Sequence, residues 1–124
     1  MGLGVCISTA AMTELPHQKL IAYRVACDML AAVATAKIKD PKLRDQAVRA
    51  AKSACLNIAE AAGRRGVPDR ARVFAIARGE ACEAAAAVEI GAIAGDCTVS
   101  SSVTVIALAD RLVGLLTGLT RTEL

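Results

Sequence analysis

Aromatic residues are nearly missing from this sequence: among 124 residues there is one Phe, one Tyr and no Trp. A core must therefore be filled by Ala, Val, Ile and Leu, and there is no row of rings on which nucleic-acid bases would stack. Histidine occurs once, at His17, which excludes His-rich metal sites and the paired Glu-x-x-His ligands of di-iron bundles. Proline occurs three times, so little interrupts a helix. The five cysteines, at positions 6, 27, 55, 82 and 97, are odd in number and widely spaced with no CxxC pair. That pattern argues against a disulfide framework or a zinc site, and the thiols are expected to act as small buried hydrophobes in a reduced compartment. No run of about 18 uncharged apolar residues appears, as a bilayer span would need. The opening MGLGVCISTAAM lacks the basic and apolar regions of a signal peptide. It carries Cys6 where a myristoylation signal has Ser or Thr. A cytoplasmic protein with no membrane partner is expected.

What is abundant is small and apolar. Hydrophobic residues make up 55% of the chain, and its mean hydropathy is +0.47. Alanine is the best helix former and a poor strand residue, so the composition predicts an all-α fold. The length suits one domain with a core that needs no disulfide or metal. Local signals divide it into a loose leader over 1–16, helices over about 17–37, 41–63, 68–95 and 101–118, and a tail over 119–124. Asp40-Pro41 reads as an N-cap followed by proline at the first helical position, and Pro68-Asp69 as a second use of that device. Gly63-Arg64-Arg65-Gly66 is expected to stop the second helix through a left-handed glycine. Thr98 to Ser102 offers caps for the fourth, whose β-branched stretch 103–106 would alone suit a strand but has no partner strand. Short connections favour an antiparallel up-down-up-down four-helix bundle.

On the second helix, Gln46, Arg49, Ser53, Asn57, Glu60 and Arg64 fall in one narrow arc beside a broad apolar face containing Leu43, Ala47, Ala50, Ala51, Ala54, Cys55, Ile58 and Ala62. Periodicity leaves two readings open. The arc is a solvated face with Glu60 and Arg64 as an i,i+4 pair, or it meets another helix or subunit, where unsatisfied polar groups would be costly.

The series Gln46-x-x-Arg49-Ala50-x-x-Ser53-x-x-x-Asn57-Ile58-Ala59-Glu60, followed by Gly63-Arg64, resembles the signature of a bacterial four-helix bundle family. That family was first noticed in intervening sequences of the large-subunit ribosomal RNA gene, and it includes the Avd accessory protein of diversity-generating retroelements. Leu20-x-x-Tyr23-x-x-Ala26 resembles the family's first helix, and Asp69, Phe74, Ile76-Ala77-x-Gly79-x-x-x-Glu83 its third. The chain departs from the pattern at Ala61, usually Gly, and at Glu80, usually Ser. The resemblance implies a ring-shaped homopentamer in which Gln46, Arg49, Ser53, Asn57 and Glu60 order helix or subunit contacts.

No catalytic constellation emerges. A Cys–His nucleophile would have to bring a thiol to His17, Glu80, Glu83 and Glu89 read as solvated carboxylates, and 63–66 lacks the lysine and preceding strand of a phosphate loop. No enzyme, cofactor or metal is expected. Charge, by contrast, is segregated: 37–78 holds eleven basic and four acidic residues, +7, while the remainder holds four and eight, −4. Antiparallel helices would place Lys37, Lys39, Lys42 and Arg44 at one end and Arg64, Arg65, Arg70 and Arg72 at the other. Repeated around a ring, either end would suit an RNA or DNA backbone held by charge without reading bases. The expected role is an oligomeric adaptor that binds nucleic acid or docks a nucleic-acid enzyme such as a reverse transcriptase, the alternative being a self-assembling interaction module with no nucleic-acid role.

Overall fold

The structure, a computed structural model, describes residues 14–121; the leader before residue 14 and the last three residues of the tail lie outside that range. A 3-10 turn, Pro16–Lys19, precedes four helices: α1 Ile21–Ala36, α2 Pro41–Ala62, α3 Val67–Ile93 and α4 Val99–Leu119. Each helix packs on its sequence neighbours and α1 closes the square against α4, while the diagonal pair α1 and α3 barely touch. This is the expected antiparallel bundle.

The ends follow local chemistry, with three differences from expectation. Asp40 caps α2, its Oδ2 accepting from the Leu43 N–H at 2.9 Å, and Thr98 caps α4 by accepting from the Ser101 N–H at 3.0 Å. The first helix does not run unbroken from residue 17, because Leu20 is extended (φ −88°, ψ 129°) and separates the 3-10 turn from α1. Gly63 is not left-handed: at φ −85°, ψ −7° it continues the helical conformation, its N–H donating to carbonyls of the last turn of α2. Among the described residues the left-handed positions are Lys37 (φ 50°) after α1 and Gly95 (φ 81°) after α3. At α3 the N-cap is Gly66, which offers no side-chain acceptor, and Pro68 and Asp69 lie inside the first turn.

The most extensive seam joins α2 to α3, and it is built of alanine. Ala47, Ala50, Ala51, Ala54 and Ala61 of α2 and Ala77, Ala81, Ala84 and Ala87 of α3 are all buried, while the buried Ala85 lines a groove toward α4. Side chains this short let the helix axes approach closely. The larger groups, Phe74, Met29, Ile38, Ile58, Leu112 and Leu116, are fully buried and fill the remaining interior. At one end the Lys39 N–H donates to the Asp96 carbonyl at 3.0 Å, tying the α1–α2 connection to the α3–α4 connection. Helix α4 alone among the described helices is long and apolar enough, by length and composition, to cross a membrane. Its Val105, Ala109, Leu112 and Leu116 are buried in the bundle core, about 28% of its apolar stretch is buried in all, and Asp110 and Arg111 interrupt it midway.

Candidate nucleic-acid interface

The turn between α2 and α3 carries the first cationic end. Arg64, one residue past the Gly63 cap, reaches two carboxylates: its Nη1 donates to Asp69 Oδ2 at 2.7 Å, and its Nη2 pairs with Glu60 one turn back on α2. The other oxygen of Asp69 accepts from Arg72 Nη2 at 2.9 Å. Asp69 is thus held between two guanidinium groups. Hydrogen bonds from Arg64 and then Arg72 keep its pKa below the ordinary carboxylate range, and hydrogen bonds to Glu60 and then Asp69 raise that of Arg64.

A depressed carboxylate contributes stability that is fully present above its unfolded-state pKa of about 4 and is lost as pH falls through the lower folded value. Asp69→Asn is therefore expected to cost stability at neutral pH and to bring parent and variant together as pH falls below about 4. Thermal melts of both proteins at the two pH values check this; an equal gap at both would show that the carboxylate charge contributes nothing.

Because Arg64 and Arg72 are engaged, the expected four-arginine patch is divided. Arg65 is exposed, and Arg70 is half-buried. The Nε of Arg70 is buried without a hydrogen-bond partner among the described residues. Arg70 shares a cleft of about 210 Å³ with Val67, Phe74, Gly118, Leu119 and Arg121. Sequence reasoning missed Arg121, since only the antiparallel return of α4 brings that residue beside the start of α3. At the opposite end Lys37, Lys39 and Lys42 are exposed, while Arg44 Nη1 donates to the Ile38 carbonyl at 3.0 Å and so braces the α1–α2 connection.

The polar arc on α2 divides as well. Gln46, Arg49 and Glu60 are exposed and Ser53 and Asn57 half-buried. Asn57 Nδ2 donates to the Ser53 carbonyl at 2.9 Å and to Ser53 Oγ at 3.1 Å, bonds that stay on one helix. Within the apolar face, Ala61 is buried and Ala62 only half so.

The thiols differ from the expected buried set. Cys55 is buried and Cys27 and Cys97 are partly so, but Cys82 is exposed on α3; Cys6 lies outside the described residues. Cys27 and Cys55 meet across the α1–α2 seam. The neighbouring Cys55, and then Tyr23, lower the Cys27 pKa to about 7, while Cys27 and burial push that of Cys55 up. His17 packs edge-on against Tyr23, ring centroids 4.6 Å apart. Among the described residues no three metal-ligating side chains come together.

One large surface feature has no counterpart in the charge pattern. Along α3, Ala75, Gly79, Cys82, Ala86, Ile90 and Ile93 are all exposed, at steps of three and four. Beside them on α4 stand the exposed Val99, Val103 and Ile106. A groove of about 290 Å³ lined by Cys82, Ala86, Ile106 and Val113, with the carboxylates Glu89 and Asp110 also on its walls, joins the two rows.

Fold and surface together define a small all-helical bundle with cationic ends and an uncovered apolar side. The chain belongs to the 23S rRNA-intervening sequence protein family, whose signature matches residues 18–118. No curated protein matches it.

Proposed function

We propose that this chain is a non-enzymatic, self-assembling adaptor of the cytoplasm. Copies associate through the α3–α4 apolar face into a closed ring, a homopentamer by resemblance to the family. The cationic ends, repeated around that ring, hold the backbone of RNA or DNA or dock a nucleic-acid enzyme such as a reverse transcriptase. The observation that carries the reading is the exposure of large aliphatic side chains on one side: Ile93 is 82% exposed, Val99 70% and Val103 63%. Contiguous apolar surface of this kind marks an interaction site rather than a solvated face. In a ring each contact joins two different faces, and Gln46, Arg49, Ser53, Asn57 and Glu60 supply the polar one.

Charge supports the nucleic-acid half of the proposal, because cations clustered at the ends of a bundle and multiplied by assembly attract phosphates. Binding of labelled single-stranded RNA is expected to fall steeply between about 50 and 200 mM salt, the mark of counterion release. Arg65→Ala is expected to flatten that dependence by about one unit of log–log slope for each phosphate contact it removes. The second reading, assembly with no nucleic-acid role, is favoured by the engagement of Arg64 and Arg72 with Glu60 and Asp69. Failure of the parent to retain RNA at low salt would select it.

A further inference from the structure

We infer that the cleft between the start of α3 and the end of α4 is a phosphate-binding site that takes a phosphodiester of a nucleic-acid strand. The inference rests on the nucleic-acid reading above and assigns its contact to Arg70 and Arg121. Both side chains line the cleft, whose other walls, Val67, Phe74, Gly118 and Leu119, are apolar.

Three features single out Arg70. Its Nε is buried without an acceptor among the described residues, as is that of Arg64. Arg64, however, pairs with Glu60 and Asp69 through its Nη atoms, whereas Arg70 makes no ion pair among the described residues. A buried donor left unpaired is destabilising until an acceptor arrives. The carboxylate next to it in the chain, Asp69, is already occupied by Arg64 and Arg72. The first turn of α3 has Gly66 as its N-cap with no side-chain acceptor, so its leading amides and the positive end of the helix dipole favour an anion on the same side. The carbonyl end of α4, capped at Thr120, opposes an anion here, and Arg121, the next residue, offsets it. The planar guanidinium carries its N–H donors as a fork that matches two oxygens of a phosphate. The apolar walls suit the sugar attached to that phosphate better than they suit a fully hydrated free ion.

The experiment uses the full chain, with RNA affinity read by fluorescence anisotropy across a salt series and the Arg70 Nε–H followed by nitrogen-15 NMR. Arg70→Gln combined with Arg121→Gln is expected to weaken binding about tenfold or more at low salt and to flatten the slope by about one to two units. Lys52→Gln, an exposed cation midway along α2 and away from both ends, is expected to leave both unchanged. Arg70→Lys, which keeps the charge but loses the fork, guards against misfolding of the double variant and is expected to bind between it and the parent. Addition of RNA is expected to shift the Arg70 Nε–H signal.

A parent that binds RNA and a double variant that binds it equally would overturn the inference while leaving the broader reading intact. A parent that binds no RNA at low salt would remove both. A signal that moves with inorganic phosphate and not with RNA would overturn the phosphodiester assignment in favour of a free anion.

Discussion

Phe74→Ala is expected to lower stability by about 3–5 kcal/mol, enough to bring a domain of this size close to unfolding at ambient temperature. Phe74 is 1% exposed and heads the largest fully buried side chains. It is the only phenylalanine, and the bundle around it is filled largely by alanines and valines. Such neighbours have little side-chain reach with which to close a gap, so removal of the ring leaves most of its volume as a cavity, and the cost rises with the cavity that persists. A melting temperature lower by roughly 10–20 °C is expected. Phe74→Leu, which returns much of the volume, is expected to recover most of the loss. If the alanine variant unfolds within a few degrees of the parent, the ring is not the keystone of the interior.

The double change Ile93→Asp with Val103→Asp is expected to convert the assembled protein into a single folded chain. Both side chains are exposed in the protomer, at 82% and 63%, so the change should leave helicity and the protomer's own melt nearly intact. In an assembled interface the same carboxylates would be buried without partners, at about 3–5 kcal/mol for an uncompensated charge. That weakens association by about a hundredfold or more. Light scattering and native mass spectrometry read the outcome. A monomeric parent would refute the assembly, and a variant as large as the parent would move the interface away from α3 and α4.

The bundle itself was legible in the chain because its signals are local. Alanine content, the Asp40 and Thr98 caps and the prolines at 41 and 68 act within a few residues of themselves, and the 103–106 stretch remained helical because no strand existed to pair with it. The family resemblance was legible for a related reason, since dispersed small and polar positions on α2 and α3 agree in order and spacing. The misread details are those in which two local solutions compete. Gly63 was free to adopt the left-handed conformation, but its N–H is satisfied within the last turn of α2. Gly95 took the left-handed position instead. Pro68 and Asp69 looked like a cap and proved to lie inside the first turn.

The candidate site was less legible, and the reason is electrostatic. Counting charges along 64–72 treats every arginine alike, whereas two of them converge on Asp69 and a third faces a cleft shared with Arg121. Which cation meets which anion depends on directions across the α2–α3 turn that no periodicity encodes.

Composition and spacing alone therefore determined the helices, their antiparallel order and the segregation of positive charge, because each arises from propensity or from short-range capping. Only the tertiary structure decided which surfaces remain uncovered and which charges remain available. The apolar row of α3 lies on a helix whose residues look buried at every turn, and it is exposed because one helix offers only part of its circumference to three neighbours. Arg70 and Arg121 come together because α4 returns antiparallel to α3, a proximity made by the fold between residues far apart in the chain.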